Sequence, residues 1–348
     1  MISRIKSKIL FRVDAQPEIG YGHFFRSFAL AKMLEEDYDI SFAMGRADEV
    51  IKLMLLEANY DLILLRSFDY AFPDKRENEE VVFDLNEHIH DFDLVVLDGY
   101  WFGPNYQSKL RAFDVKVVLI EDNGGGTYKA DVLINPAEGL SYDNYVVDNK
   151  KAAKLLGSKY ALLREPFLRA AKETIVQDRK GFHVFICFGG SDILNKTLEV
   201  TKWFLDHTSV NLRIVVGNAY PHISSLQELA LHHSARVSLL KGLSQDEMVE
   251  EMKSASLGVV PASGVLIEAI ACRLPIISGV YAKNQNRIYQ GFLDRKAFIP
   301  APEFSPSELK SAWDEINEIG LKNILMNQIA LLDGKSGERI RKTIKSLC

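Results

Sequence analysis

The feature that most constrains this chain is a rhythm. Short β-branched and aliphatic runs alternate with helical stretches along most of its length, the signature of a parallel sheet covered by helices. In the first half, strands are expected at 9–13, 40–43, 62–65, 94–97, 115–120 and 132–134, with helices at 24–36, 48–57, 78–89 and 105–112. The second half repeats the pattern, with strands at 184–188, 212–216, 237–240, 257–260 and 275–277. Its helices are expected at 192–205, 223–231, 245–254, 266–272 and 284–293. The strands read as unbroken apolar runs, as strands buried on both faces do.

At 348 residues the chain is too long for one ordinary core and suits two. The expected organisation is two doubly wound, Rossmann-like α/β domains at 1–167 and 182–305, a charged linker at 168–181 and a helical tail at 306–348. Ligands of such folds lie at the carboxyl ends of the strands, which predicts a cleft between two facing sheets.

Composition narrows the function. Forty-two basic against forty-seven acidic residues give a net charge of −5, which argues against a coat for nucleic acid or an anionic membrane. No apolar run approaches the roughly 18 residues of a membrane helix, and Asp14 interrupts any leader-like apolar stretch. The three cysteines, Cys187, Cys272 and Cys348, are widely spaced and form no CxxC, which favours a reducing cytoplasm over a disulfide framework. No histidine or cysteine cluster has metal-ligand spacing. The adjacent His232 and His233 would point about 100° apart on a helix. Neither metal nor cofactor is expected, and nothing in the sequence speaks to oligomeric state.

Three strand–loop–helix junctions carry chemistry. The first reads RVDAQPEIGYGHFFRS. Gly20 and Gly22 bracket a turn, Arg12 and Asp14 close the strand, and His23 opens the helix with Arg26 one turn in. The positive end of the helix dipole disfavours imidazolium, and a neutral imidazole can take a proton. The alternative is that His23 only caps or packs the helix. In the second junction, FGGSD, Gly189 and Gly190 let backbone N–H groups approach a diphosphate, with Ser191 and Asp192 following. Asp192 suits a helix N-cap better than a ligand contact. In the third, Ser263 and Gly264 precede a helix carrying Glu268, placed to hold both ribose hydroxyls or simply to answer the dipole. Asn284 and Gln285 open the next helix.

Taken in order, IGYGHFFRSFALA, VLDGY, KYALLREPF, VFICFGGSD, ASGVLIEA and KNQ resemble the UDP-sugar hydrolase family of pseudaminic acid biosynthesis, from about Ile9 to about Phe298. That family is similar to glycosyltransferases of the GT-B type such as MurG. The resemblance implies metal-independent, inverting hydrolysis of a UDP-linked 2,4-diacetamido-2,4,6-trideoxy sugar. It implies His23 as the base, Tyr100 and Asn284 at the sugar, and Gly189, Gly190, Ser191 and Glu268 at the nucleotide. Asp98, in VLDGY, joins the binding set. The chain departs from the family at Glu121-Asp122, where paired aspartates are common, and at Gly124-Gly125-Gly126. A transferase on the same fold and a non-catalytic nucleotide-sugar binder are the competing readings.

Overall fold

The computed structural model describes residues 6–16, 20–65, 83–122, 124–173, 181–190, 192–319 and 321–347. The chain divides into two compact units. The first comprises Met1–Pro136, Leu140–Leu163 and Ser336–Cys348, and the second Ala137–Gly139 and Arg164–Lys335.

The first unit runs β1 (Ser7–Val13), α1 (Gly22–Leu34), β2 (Tyr38–Met44), α2 (Glu49–Glu57), β3 (Asp61–Leu64), β4 (Leu94–Asp98), α3 (Pro104–Arg111), β5 (Lys116–Ile120), β6 (Gly126–Tyr128), β7 (Val132–Asn135), β8 (Tyr145–Val147) and β9 (Ala153–Leu156). Seven of these strands form one parallel sheet in the order β3-β2-β1-β4-β5-β7-β9, and β6 pairs with β8 apart from it. Alternation along β1 serves both faces. Ile9, Phe11 and Val13 pack with Phe24 and Phe28 of α1, while Leu10 packs with Val95 and Leu97 on the other side. Phe11 stacks on Phe42 at 4.9 Å.

The second unit opens with α4 (Glu165–Lys172) and continues β10 (His183–Ile186), α5 (Lys196–His207), β11 (Asn211–Val216), α6 (Ile223–His232), β12 (Val237–Lys241), α7 (Gln245–Ser254), β13 (Leu257–Pro261), α8 (Gly264–Ala271), β14 (Ile276–Gly279), α9 (Asn286–Asp294) and β15 (Ile299–Pro300). Its parallel sheet has the order β12-β11-β10-β13-β14-β15. Three helices follow: α10 (Pro306–Ile319), α11 (Lys322–Leu331) and α12 (Ser336–Lys345). The last belongs to the first unit. There Ile340 and Ile344, both fully buried, join the core beneath α1. Lys345 Nζ reaches Asp37 at 2.7 Å.

Several sequence expectations are corrected. The stretch 168–181 does not start as a linker: α4 carries it to Lys172, with Phe167, Ala170 and Ala171 buried. Residues 174–180 lie outside the described residues. The expected helix at 78–89 has no α-helical turn from Phe83 onward, ending in a single 3-10 turn at Ile89–Asp91, and its earlier part lies outside the described residues. The helix expected from Asp192 starts at Lys196. The helix expected from Asn284 begins as a 3-10 turn at Lys283–Gln285 and becomes α-helical at Asn286. Strands β6, β8, β9 and β15 were not expected. All four are short, and β9 and β15 lie at sheet edges, where a lysine or a proline is tolerated.

Candidate active site

In each sheet the strand order reverses direction once, between β1 and β4 in the first and between β10 and β13 in the second. At such a point the connections from neighbouring strands leave toward opposite faces and open a crevice at the carboxyl edge. Of the sequence-predicted residues, Arg12 to Arg26 with Asp98 and Tyr100 stand at or after the ends of β1 and β4, and Gly189, Gly190, Ser263 and Glu268 follow β10 and β13, whereas Asn284 and Gln285 follow β14.

In the first unit, β1 ends beside β4, with Val13 opposite Asp98 in register. Gly20, at φ +79°, takes the left-handed conformation, and its N–H donates to Gln16 O at 2.8 Å. The turn delivers Gly22 as the first residue of α1 and His23 as the second. Among the described residues nothing lies within 4 Å of where a Cβ on Gly20 or Gly22 would sit, which leaves the backbone here open to close approach. Tyr21 between them donates its hydroxyl to Asp48 at 2.7 Å, tying the turn to the start of α2.

His23 is buried, and its Nδ1 lies 2.6 Å from Asp98 Oδ1. An ionised carboxylate only accepts, so Nδ1 carries a proton, and in the neutral form of the ring the lone pair is therefore on Nε2. Asp98 is completely buried and fully served: Arg26 Nε donates to Oδ2 at 2.7 Å, Arg26 Nη2 to Oδ1 at 2.5 Å, and Ser27 Oγ to Oδ2 at 3.0 Å. Burial alone would raise the Asp98 carboxyl, but the charges of Arg26 and His23 with their hydrogen bonds outweigh it and hold it below the usual range. Arg26 is likewise opposed by burial and held charged by Asp98 and Asp122. Its Nη1 donates to Asp122 Oδ2 at 2.8 Å, and Tyr100 donates to the same oxygen at 3.1 Å. The half-exposed Tyr100 ring stands edge-on to His23, centroids 5.0 Å apart. Burial and Asp122 together raise the Tyr100 phenol, which stays protonated.

Two residues expected here do other work. Arg12 is fully buried, donating to Asp14 at 2.7 Å and to Asp84 at 2.8 Å, with its guanidinium 4.9 Å from the Phe102 ring centre. Asp14 accepts from Arg12 and from Gly45 N at 2.7 Å. They brace the ends of β1 and β2, and it is Asp98 that orients His23.

In the second unit, Gly189 (φ +87°) and Gly190 leave open space where side chains would stand, while a Cβ on Gly217 would meet Gly190 O at 2.5 Å. Ser191 lies outside the described residues. Asp192 is buried, its Oδ1 accepting from Lys196 N at 3.0 Å and its Oδ2 from Thr197 N and Oγ1 at 2.8 and 2.6 Å. It supplies the anion at the start of α5 from within the chain, the capping role that its place in the sequence favoured. The start of α8 differs. Its N-cap Ser263 makes no capping bond, and Gly264 is exposed with open space beside it. One turn in, Glu268 Oε1 accepts from Arg164 Nη2 at 2.6 Å, both side chains partly exposed. Cys187, just before Gly189, is buried and its thiol is pushed up to about 12, first by burial and then by the charges of Glu268 and Asp192.

Gln285 is buried, its Oε1 accepting from Tyr281 N at 3.0 Å, so it holds the turn it sits in. Asn284 lies in that same 3-10 turn. Sequence reasoning missed Asp122 and Arg164 as site residues. Both stood inside stretches it quoted, Glu121-Asp122 and KYALLREPF, but their partners are distant in the chain. Among the described residues no group of three or more His, Cys, Asp or Glu is placed to hold a metal ion, and no helix is long and apolar enough to cross a membrane.

No family model matches the chain. Among curated proteins it is 27% identical over 284 residues to the UDP-2,4-diacetamido-2,4,6-trideoxy-β-L-altropyranose hydrolase of Campylobacter jejuni, covering 80% of this chain and 93% of that one. Among solved structures it is similar to Acinetobacter baumannii MurG, with a TM-score of 0.65 at 15% identity over 97% of this chain and 99% of the other. It is also similar to Anabaena HepE in complex with UDP-glucose, with a TM-score of 0.59 at 14% identity over 97% and 99%. The fold is that of the GT-B glycosyltransferases.

Proposed function

We infer that this protein is a nucleotide-sugar hydrolase that cleaves a UDP-linked sugar at its anomeric C–O bond. The observation that carries the reading is the His23–Asp98 pair at the β1–β4 crevice, in a chain similar over most of its length to a UDP-sugar hydrolase. Asp98 fixes the ring so that Nε2 faces a water. As the water oxygen bonds to the anomeric carbon, Nε2 takes its proton, an effect typically worth ~10²–10⁴-fold. The bond from that carbon to the phosphate oxygen breaks, UDP departs with the electron pair, and the anomeric configuration inverts.

The second unit handles the nucleotide. The N–H groups at the start of α8 meet the charge that builds on the diphosphate, a reading supported by the uncapped Ser263 and a first turn without acidic residues. Glu268, fixed by Arg164, accepts from the ribose hydroxyls. Gly189 and Gly190 let the backbone lie against the nucleotide. The sugar is of the 2,4-diacetamido-2,4,6-trideoxy class on which the Campylobacter relative acts.

The test is incubation with a panel of UDP-sugars without any acceptor, following free UDP and the configuration of the released sugar. Prompt release of UDP with inversion is expected. Release that needs an added acceptor would make the protein a transferase, and binding without turnover would make it a binding protein.

A further inference from the structure

Arg26 poses a problem for a base at His23. Its Nη2 stands 2.9 Å from Nδ1, and a guanidinium that close opposes any proton the ring takes up. Asp98 needs this cation, because a fully buried carboxylate without one would be too costly to keep ionised. Arg26 offsets most of the attraction that Asp98, 2.6 Å away, gives the incoming proton.

Among the described residues, the charged and titratable groups facing the ring come from three elements. Arg26 is on His23's own helix. Asp98 and Tyr100 come from the end of β4 and the turn after it, and the Tyr100 phenol is neutral. Asp122 comes from the segment after β5 and reaches the ring through Arg26 and Tyr100. Among the described residues it is Asp122 that tips the balance: two carboxylates and one guanidinium give −1 beside a neutral ring and zero once the ring is protonated.

Resting on the hydrolase reading, we propose that Asp122 is a positioning residue for the reaction, a distal carboxylate that draws Arg26's charge away from His23 so that the buried Asp98 stays ionised without disarming the base. The bond geometry is suited to this. Asp122 takes Nη1, the guanidinium nitrogen that bonds neither Asp98 nor His23, and its side chain is 30% exposed, so it costs little to keep charged. Tyr100 donates to the same oxygen and fixes where that charge lies. The paired acidic position after β5 thereby acquires a purpose in which only its second member takes part. Glu121 is buried and turned to Gly124 N and Asn135.

The experiment compares the wild type, Asp122→Asn and Asp122→Glu in the full chain. The probe is UDP-2,4-diacetamido-2,4,6-trideoxy-β-L-altropyranose, with kcat/KM followed against pH and folding checked by thermal melts. In Asp122→Asn the acid-side half-point should move lower by roughly one pH unit, because the proton on His23 loses its compensating charge. The plateau kcat should drop several-fold while UDP affinity holds. Asp122→Glu, which keeps the charge, should restore the half-point. A half-point in Asp122→Asn that stays put or moves upward overturns the proposal, as does a Glu variant indistinguishable from the Asn one. NMR titration of the His23 ring in the same variants reads the same shift without turnover. An inactive variant therefore still answers, and a wild type that never releases UDP sinks the hydrolase reading while leaving the charge balance to be decided on its own.

Discussion

His23 Nδ1 and Asp98 Oδ1 approach to 2.6 Å although seventy-five residues separate them in the chain. The contact exists because β1 and β4 are neighbours, so the first turn of α1 meets the last residue of β4. A base oriented in this way depends on the carboxylate for its tautomer as well as its position. Asp98→Asn keeps the shape but offers Nδ1 an amide in place of a carboxylate. It should cost kcat ~10²-fold or more with UDP affinity nearly unchanged. His23→Ala should cost a similar factor, and the double variant little more than either single one, because the two act as a unit. Additive losses measured in steady-state kinetics would break the pairing.

The same carboxylate bears on acid stability. Its folded value lies below the ordinary one of about 3.9, so around pH 4 the unfolded chain binds more protons than the folded one. The stability it contributes is complete above that unfolded value and is lost as the pH falls through the lower, folded one. Asp98→Asn has no proton to gain. Urea unfolding of that variant between about pH 5 and pH 3 should therefore show a shallower fall than the wild type, and parallel curves would remove Asp98 from the acid transition.

What the sequence made legible was whatever a short window contains. The buried strands could be read from their apolar runs, and His23, Gly189 and Glu268 from their places just after strands. What it hid was set by contacts across the sheet. Arg12 and Asp14 looked like site residues because they end a strand beside a glycine turn, but Asp84, seventy-two positions from Arg12, turns them into a buried brace. Asp98 looked like a binding residue until β4 was placed next to β1. Arg164 meets Glu268 across 104 positions, and no local pattern marks that pair. Asp192 delayed α5 to Lys196 because its side chain takes the N–H groups of the first turn from outside the helix, and a window read for periodicity cannot see that choice.

The C-terminal helix α12 gives a test of the fold. Ile344 is fully buried within the first unit's core, where Ile340 joins the side chains of α1. Removing the branched part of a buried isoleucine typically costs about 2–5 kcal/mol, through lost transfer energy and the cavity left behind. Ile344→Ala should destabilise the first unit by that amount, although the residue lies far along the chain from the rest of it. Urea denaturation followed by tyrosine and tryptophan fluorescence reads the effect, and a shift below about 0.5 kcal/mol would mean that α12 is not part of that core in solution.

The last prediction separates binding from chemistry. Glu268 lies one turn into α8, and its Oε1 accepts from Arg164 at 2.6 Å, which orients the carboxylate and, among the described residues, leaves its second oxygen to hydroxyl donors. A carboxylate that accepts from two ribose hydroxyls makes hydrogen bonds of the charged kind, worth roughly 1.5–3 kcal/mol each. Glu268→Ala should therefore weaken UDP binding by ~10-fold or more, read by calorimetry, and raise KM in proportion. The kcat at saturation should hold, because the ribose contacts are the same in the ground and transition states. Arg164→Ala leaves the carboxylate in place but frees its orientation, so it should weaken UDP binding in the same direction and by less. Unchanged affinity in Glu268→Ala would show that Glu268 serves only Arg164 and the helix dipole, and the ribose would then have to be sought elsewhere on the carboxyl edge of the second sheet.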